Sequence, residues 1–416
     1  MEAYGKILLI AMPIFLVLVL FEKFWGIWKG NDTVPLNDMI SSLSSGITNV
    51  TKDVLGLSIV VISYEWLYHQ FGFFKIESSW LIYFIAFMAL DFAGYWTHRI
   101  SHEYNIFWNN HIIHHSSEEF NLACALRQSI SSIVKIFAVF LLPAAILGVP
   151  AQVIAIVAPL HLFAQFWYHT RHIGKMGLLE KIIVTPSHHR VHHAINPEYL
   201  DKNYGQIFIF WDKWFGTYQE EMDDVPAVYG VTRPVQTWNP IKINFMHLWL
   251  LIKDAWRAKK WSDKFKIWFM PLGWRPSEVA EKYPVDKIQD VYHFEKYNPI
   301  LPNGLLVWSL FQLFALLLLI SYLFANISAI GAPGIFIYGG FVFLTVYAYS
   351  ELMDRNPKAW IWESLKSAFG LYLVFSSGDW FGLNTQFPGI LPIFIFYLLM
   401  STGFSVWYSF RKFITT

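Results

Sequence analysis

The sequence predicts an all-α protein: a multi-pass transmembrane helical bundle with a histidine-rich di-metal cap on its cytoplasmic side. Composition predicts the bundle. Of 416 residues, 55% are hydrophobic and only 15% are charged, and the mean hydropathy is +0.38, whereas soluble proteins carry about 25% charged residues. Three short histidine clusters predict the cap.

Nine apolar segments are candidates for membrane helices, which need about 20 mostly apolar residues each. The second and eighth are weaker because they contain Glu65 and Lys366, and either could be interfacial or a short, tilted span. We expect no cleavable signal peptide, since no small-residue cleavage site follows the first segment. The nine segments are 7–21, 54–73, 80–97, 130–149, 151–168, 305–324, 330–349, 365–380 and 390–410.

The three clusters have spacings that bring ring nitrogens together. The first has an i, i+4 spacing and the other two have i, i+3 and i+4, so each presents its imidazoles along one face of a helix. Eight neutral nitrogen ligands directed at one point suit two transition-metal ions. The clusters are His98-Arg-Ile-Ser-His102, His111-Ile-Ile-His114-His115 and His189-Arg-Val-His192-His193.

The segments at 130–168 form a predicted membrane hairpin that supplies one more ligand. The returning helix carries His161, His169 and His172 on one stripe, and His169 lies level with the predicted metals. His161 is two turns deeper, where we expect it to line a cavity or bond a neighbour. The expected metal ligands are therefore His98, His102, His111, His114, His115, His169, His189, His192 and His193.

Asp91 is the acid that the sequence places inside an apolar span, where a carboxylate is costly and usually functional. It shares a helical stripe with His98 and His102. We expect it to accept a hydrogen bond from the second ring N–H of a ligating histidine, which would fix the tautomer. A helix–helix hydrogen bond is the alternative. His188 falls off the stripe of the third cluster, so we expect it to be structural.

The distribution of lysine and arginine predicts which side the clusters face, because cytoplasmic loops are enriched in both. Basic residues surround the clusters and follow them, and the hairpin returns the chain to the side it left. All three clusters should therefore share the cytoplasmic face of an integral membrane protein. We expect the endoplasmic reticulum in a eukaryote and the inner or plasma membrane in a bacterium.

The segments divide the chain into four parts. Residues 1–79 are predicted N-terminal membrane helices, 80–220 the histidine-cluster catalytic unit with the hairpin, and 303–416 C-terminal membrane helices. Residues 221–302 are predicted to be cytoplasmic or interfacial. Their amphipathic, Lys-rich stretch at 261–269 predicts a helix on the membrane surface, with an ordinary solvated helix as the alternative.

Ligand type alone does not choose among zinc, iron, copper and nickel. A structural zinc ion needs four ligands, and a hydrolytic zinc pair usually recruits a bridging carboxylate. Eight or nine histidines in a membrane protein favour two iron ions with positions open for oxygen. The single Cys124 excludes a cysteine-based metal site. A net charge of +1 gives no support to nucleic-acid binding.

The order HxxxH, HxxHH and HxxHH among membrane segments resembles the fatty acid hydroxylase/sterol desaturase superfamily. Flanking motifs in about residues 80–220 resemble, more specifically, its glyceryl-ether monooxygenase branch. Those motifs are HRISHE at 98–103, NLACALRQS at 121–129, QFWYHT at 165–170, TPSHHRVHH at 185–193, DKNYG at 201–205 and WDKWFGT at 211–217.

The resemblance implies a di-iron enzyme that uses O2 to hydroxylate the ether-linked carbon of an O-alkyl glycerolipid. A fatty aldehyde and a glycerol derivative would be released, with tetrahydrobiopterin as the reductant. It also implies that the eight cluster histidines are ligands and that Glu103 is a catalytically important acid, either a partner of the ligands or a proton relay. The alternative for Glu103 is a surface carboxylate at a helix end.

Two other functions stay open at the level of sequence. One is a sterol, carotenoid or fatty-acyl hydroxylase or desaturase that shares the metal site and takes electrons from a ferredoxin or cytochrome partner. The other is a non-enzymatic membrane protein that stores or senses metal, or a lipid-binding relic, which the completeness of all three clusters disfavours. The sequence leaves the oligomeric state and the role of the C-terminal helices open.

Overall fold

The fold is a bundle of α-helices, as the composition predicts. The structure is a computed structural model that describes residues 2–74 and 79–411. In these two ranges the only β-sheet is a pair of two-residue parallel strands, β1 (Ile59–Val60) and β2 (Val134–Lys135). The last predicted part of the chain, 303–416, extends past the described residues at 412–416.

Short helices alternate with long ones. The first ten are α1 (Glu2–Trp28), α2 (Leu36–Val54), α3 (Tyr64–Phe71), α4 (Trp80–Glu103), α5 (Asn105–Trp108), α6 (Ile112–His115), α7 (Leu142–Ile146), α8 (Ala151–Phe163), α9 (Pro186–His193) and α10 (Phe210–Phe215). The rest are α11 (Pro240–Arg257), α12 (Trp261–Phe269), α13 (Ser277–Lys282), α14 (Asn303–Ala325), α15 (Ile327–Ile330), α16 (Gly334–Met353), α17 (Ala359–Ser377), α18 (Leu383–Gln386) and α19 (Ile390–Phe410). Three 3-10 helices cover Cys124–Leu126, Phe137–Leu141 and Gly177–Lys181.

Five helices in the described ranges are long and apolar enough to cross a membrane: α1, α4, α14, α16 and α19. They correspond to five of the nine predicted segments, and the chain is an integral membrane protein. Helix α17 has 19 residues but carries Glu363 and Lys366, and it is not among the five. This agrees with the weakness expected of the 365–380 segment.

Three of the predicted spans are wrong. The 54–73 segment is interrupted where α2 ends before Gly56, whose positive φ of 66° turns the chain, and α3 has only eight residues. The two hairpin segments are also shorter than predicted. Prolines Pro143 and Pro150 restrict the first to short helices, and α8 has 13 residues, or about 20 Å at 1.5 Å per residue, less than the roughly 30 Å of a bilayer core.

Helix α2 connects the C-terminal bundle to the histidine region. It packs against α14 and α16 on one side and against the 3-10 helix at Cys124–Leu126 on the other. Its buried Asp38 accepts a hydrogen bond from Arg127 Nη2 at 2.7 Å, and its Lys52 Nζ donates to the carbonyl oxygen of Ser129 at 2.8 Å. The polar face of this helix therefore holds the chain segment that follows the second histidine cluster.

The C-terminal bundle encloses a charged pair. Lys366 and Glu363 on α17 are both fully buried and lie 2.5 Å apart. Ser401 of α19 donates to Glu363 at 2.6 Å and accepts from Gln312 of α14 at 2.8 Å. Three helices thus share one satisfied polar network, which specifies how they pack, because an unpaired polar group here would be costly.

We expect Lys366→Met to destabilise the protein by roughly 3–5 kcal/mol, because it leaves the Glu363 carboxylate buried without its cation. The double variant Glu363→Leu/Lys366→Met should recover most of this loss, since no charge is left unpaired. Thermal unfolding in one detergent would measure both. A double variant less stable than Lys366→Met would contradict this account.

Candidate metal centre

The three histidine clusters lie on helix ends that the local sequence explains. His98 and His102 occupy the last turns of α4. The second cluster forms the single turn of α6, with His111 just before it. Helix α9 begins with Pro186 in its first turn, a position proline favours. There His188 Nδ1 accepts from the backbone N–H of Thr185 at 3.3 Å, which supports the expectation that His188 is structural.

The fold brings all nine predicted histidines together, in two groups. Within each group the ligand atoms lie within 4.8 Å of one another. The five-histidine group contains His98, His102, His111, His115 and His192, and the four-histidine group contains His114, His169, His189 and His193. Each group could hold one metal ion. Sequence spacing did not show that the adjacent pairs 114/115 and 192/193 divide between the two groups.

Distances between Nε2 atoms match the spacing of ligands around one ion. In the five-histidine group, His98 lies 2.9 Å from His111, and His115 lies 3.0 Å from His192. In the other group, three successive Nε2 pairs measure 3.4, 2.9 and 3.0 Å: His114–His169, His169–His189 and His189–His193. Ligands about 2.1 Å from a metal at right angles to each other would be about 3 Å apart.

In each imidazole ring, the hydrogen bond that Nδ1 makes determines whether Nε2 is free to bind a metal. Nδ1 of His98 donates to the carbonyl oxygen of Tyr204 at 2.9 Å, and Nδ1 of His192 donates to that of Lys202 at 2.9 Å. An Nδ1–H donor leaves Nε2 with a lone pair directed into the group. The unpartnered Nε2 of buried His102 is a further ligand atom of this kind.

One pair in the four-histidine group is arranged to receive a cation. Nδ1 of His114 donates to the carbonyl oxygen of Arg127 at 3.3 Å, and Nδ1 of His169 donates to that of Gln165 at 3.1 Å. In the neutral state both Nε2 atoms, 3.4 Å apart, are then acceptors. Two facing lone pairs attract a positive ion between them. The donor set therefore fits a metal ion.

Burial favours the neutral, metal-binding form of these histidines. It lowers the pKa of His114 to about 3, and the neighbouring His98 contributes to that shift. Burial also holds the pKa of His115, His189 and His193 well below the usual 6.5, with neighbouring histidines adding to the shift. Near neutral pH a metal ion therefore displaces no protons from these rings.

Asp91 is fully buried on α4, but its histidine partner is His161, which belongs to neither group. It accepts from His161 Nε2 at 2.9 Å, from the backbone N–H of Ile207 at 2.8 Å and Phe208 at 3.1 Å, and from Trp211 Nε1 at 2.8 Å. The expectation that Asp91 bonds a ligating histidine is therefore wrong, whereas that of a bonded His161 is confirmed. The physical reason is its position along α4, since Asp91 lies about two helical turns before His98 and therefore away from the predicted ligands.

Asp91 still reaches the four-histidine group indirectly. Gln165 Nε2 donates to His161 Nδ1 at 3.0 Å, which leaves His161 Nε2–H to donate to Asp91. The carbonyl oxygen of the same Gln165 holds His169. Asp91 thus fixes the tautomer of His161 and the end of α8, rather than the tautomer of a ligand.

Asp212 is a functional candidate that the sequence argument missed. Its buried carboxylate accepts from the backbone N–H of Tyr204 at 2.7 Å and of Gly205 at 2.8 Å, and from Thr217 Oγ1 at 2.7 Å. A Cβ at Gly205 would lie 2.8 Å from Asp212 Oδ2, so glycine is needed there. Because the Tyr204 carbonyl orients His98, Asp212 positions a ligand. Its place in the WDKWFGT motif at 211–217 is the sequence signal that could have identified Asp212 as a candidate.

Glu103 is the last residue of α4, next to His102. Its Oε1 accepts from Arg99 Nε at 2.7 Å, and its side chain is 39% exposed. Arg99 also donates to the Tyr95 hydroxyl at 3.2 Å. The carboxylate is therefore ion-paired with Arg99 and partly exposed, and it belongs to neither histidine group. Its catalytic role stays a prediction.

Fold and site together define a membrane protein with two histidine groups that could each hold a metal ion. The fatty acid hydroxylase family model matches residues 83–217, the part that contains both groups. No solved structure matches the chain.

Curated relatives match over most of the length. The chain is 36% identical to alkylglycerol monooxygenase of Homo sapiens over 371 residues, covering 87% of this chain and 81% of that protein. It is 33% identical to alkylglycerol monooxygenase of Xenopus tropicalis, covering 86% and 80%. Ornithine lipid hydroxylase OlsE of Rhizobium tropici is 24% identical over 230 residues, covering 53% and 69%. The chain belongs to the alkylglycerol monooxygenase family and is an oxidoreductase of the monooxygenase type.

Acid is expected to destabilise the metal-free protein. The buried histidines have folded-state pKa values below the unfolded 6.5, so the unfolded chain binds more protons as the pH falls. Their contribution to stability is complete above about pH 6.5 and is lost as the pH falls towards 3, the value for His114. Thermal unfolding of chelator-treated protein from pH 8 to pH 5 measures this. A midpoint that rises on acidification would contradict it.

Asp212→Asn should lower the metal affinity of the five-histidine group by roughly 10–100-fold, a usual cost of losing a partner behind a ligand. Asparagine must turn its NH2 group towards the backbone N–H of either Tyr204 or Gly205, because each carboxylate oxygen accepts from one of them, so the turn that carries the Tyr204 carbonyl loses a hydrogen bond. Competition with a chelator measures affinity. The matched control is Asp223→Asn, whose side chain is 92% exposed. Equal losses in both variants would contradict the assignment.

Proposed function

We propose that this protein is a membrane di-iron monooxygenase that hydroxylates the ether-linked carbon of O-alkyl glycerolipids. The hydroxylated product is a hemiacetal, which breaks down to a fatty aldehyde and a glycerol derivative with a free hydroxyl. The observation that carries the proposal is the pair of histidine groups in a chain that is 36% identical to an alkylglycerol monooxygenase.

The nine histidines are the proposed ligands, with one iron held by the five-histidine group and one by the four-histidine group. Bound iron would supply the activation of O2 that attack on an unactivated C–H bond requires. Neutral imidazoles leave the positive charge of the ions uncompensated, which favours binding of anionic oxygen species. One oxygen atom enters the lipid and the other leaves as water, at the expense of two electrons and two protons.

The surroundings of the groups keep water away from the reacting atoms. Phe120, fully buried, lies 5.2 Å from the His193 ring and 5.8 Å from the His169 ring between centroids. Trp108 lies 5.0 Å from His102 on the other side. These rings leave a dry enclosure, in which a reactive oxidant is protected from side reactions. Glu103, which is partly exposed, is the proposed proton donor.

The electron donor is proposed to be tetrahydrobiopterin, by analogy with the branch that the sequence resembles. A redox partner protein is the alternative if pterin gives no turnover. We further propose that the metal centre faces the cytoplasm, in the endoplasmic reticulum of a eukaryote or the inner or plasma membrane of a bacterium. The basic residues that surround and follow the clusters support that orientation.

Purified, iron-loaded protein tests the proposal directly. With O2, an alkylglycerol and tetrahydrobiopterin, we expect a fatty aldehyde in a 1:1 ratio to the glycerol product, measured by mass spectrometry. The matched ester-linked glycerolipid is the control substrate. No aldehyde with pterin, ferredoxin or cytochrome donors would overturn the ether-cleaving function, and a hydroxylated or desaturated sterol would favour the alternative.

Adjacent histidines give a sharp test of the two groups. His193→Ala leaves three ligands in its group, whereas His192→Ala leaves four in the other. We therefore expect His193→Ala to lose close to one iron per chain and His192→Ala to lose less, with turnover abolished in both. Iron is measured by elemental analysis after desalting. His188→Ala, outside both groups, is the control and should retain its iron; equal loss in all three variants would contradict the assignment.

A further inference from the structure

A large cleft lies outside the histidine groups, between α11 and α12. Its volume is about 840 Å³, and its walls contain four indoles and three basic side chains. The indoles belong to Trp249, Trp256, Trp261 and Trp268. Neither helix is among the spans, and α12 has only nine residues.

The walls of this cleft and its rim are too apolar for a surface in water. Trp256 is 85% exposed and Trp261 is 74% exposed, and Phe265 and Phe269 beside them are more than half exposed. Contiguous exposed aromatic surface of this kind marks an interaction site. Tryptophan in particular is enriched where the bilayer core meets the headgroups.

Hydrogen bonds fix the cleft at the depth of the membrane boundary. The 24 residues of α4 extend about 36 Å, so the end of this helix emerges from a bilayer core roughly 30 Å thick. At that end, Asn105 Nδ2 donates to the carbonyl oxygen of Ile267 on α12 at 2.9 Å. Leu272 N–H, just after α12, donates to the carbonyl oxygen of Glu103 at 2.8 Å. The cleft therefore lies beside the metal centre, at headgroup level.

The charge of the cleft selects the kind of headgroup. Residues 249–269 carry six basic and two acidic side chains. One of the acids, Asp254, is buried and accepts from Arg275 Nη2 at 3.0 Å, so it offers no charge to the surface. Lysines beside indoles attract anionic lipid, because the ammonium groups meet phosphates while the rings enter the acyl boundary.

We propose that the α11–α12 cleft binds the headgroup of an anionic phospholipid in the leaflet next to the metal centre. Lys253 in the wall and Lys259 and Lys260 at the rim contact the phosphate, and the indoles contact the glycerol and upper acyl chain. Because residues 270–272 bond the end of α4, bound lipid also steadies the turn that carries His102. This site is independent of the proposed reaction and would exist in a protein that oxidises another lipid.

A fluorescent probe at the rim tests the proposal. Ser262→Cys places an exposed thiol at the start of α12, and the natural Cys124 is buried. An environment-sensitive dye is attached there, and the full-length protein is placed in nanodiscs of phosphatidylcholine with increasing phosphatidylglycerol. We expect the emission to shift to the blue as phosphatidylglycerol increases, and 1 M NaCl to reverse much of the shift.

Charge variants identify the source of the effect. Lys253→Gln/Lys260→Gln should weaken the affinity for phosphatidylglycerol by roughly five-fold for each lysine removed, so the double variant should show little blue shift over the range of phosphatidylglycerol that saturates the wild type. Lys287→Gln, also exposed, is the matched control and should leave the affinity unchanged. An unfolding midpoint equal to wild type in phosphatidylcholine discs shows that the double variant is folded. Three results would overturn the proposal: an emission that does not respond to phosphatidylglycerol, a response weakened as much by Lys287→Gln as by the double variant, or a response that depends on the number of chains per disc.

Discussion

The structure depends on keeping nine uncharged imidazoles side by side with their lone pairs facing inward; seven are buried, and His111 and His114 are partly buried. Protonation of one ring would place a charge among rings that burial already holds neutral. Rotation of one ring would present an N–H where a lone pair is needed. Backbone carbonyl oxygens prevent such a rotation at four of the rings. The carbonyl oxygens of Tyr204, Arg127, Gln165 and Lys202 each accept a hydrogen bond from an Nδ1. The loops that supply those carbonyls are therefore part of the metal centre.

Buried carboxylates hold those loops in turn. Asp212 fixes the turn at Tyr204, Asp91 binds the backbone at 207–208, and Asp38 accepts from the side chain of Arg127. Asp212 and Asp38 each act on a residue whose carbonyl oxygen bonds a predicted ligand, whereas Asp91 acts through His161 and Gln165, and none of the three belongs to either histidine group. This arrangement supplies rigidity without adding negative charge next to the ions, so the electrophilic character of the site is preserved. It also ties the centre to α2, and through α2 to the C-terminal bundle.

Cluster spacing predicted eight of the histidines, since i, i+3 and i+4 positions share a face even on the single turn of α6, and the stripe on the predicted hairpin added His169. It could not predict their division into groups of five and four, because that depends on how α4, α6 and α9 cross. The predicted partner of Asp91 was wrong for a related reason. A helical stripe shows which face of the helix a residue lies on, but not which neighbouring side chain lies at the same level along the helix axis. Hydropathy overestimated the membrane segments at 54–73 and 130–168, where Gly56, Pro143 and Pro150 interrupt helices that composition alone would continue.

Two neighbouring pairs of ligands, His114–His115 and His192–His193, each divide between the two groups. An ion bound in one group therefore orders the same peptide units that must be ordered for the other. The conformational entropy of those turns is lost once, when the first ion binds, and the second ion binds to a backbone already in place. Metal loading of the protein with both groups intact should accordingly be cooperative, and when iron is limiting its chains with one ion should be scarce relative to empty and fully loaded chains.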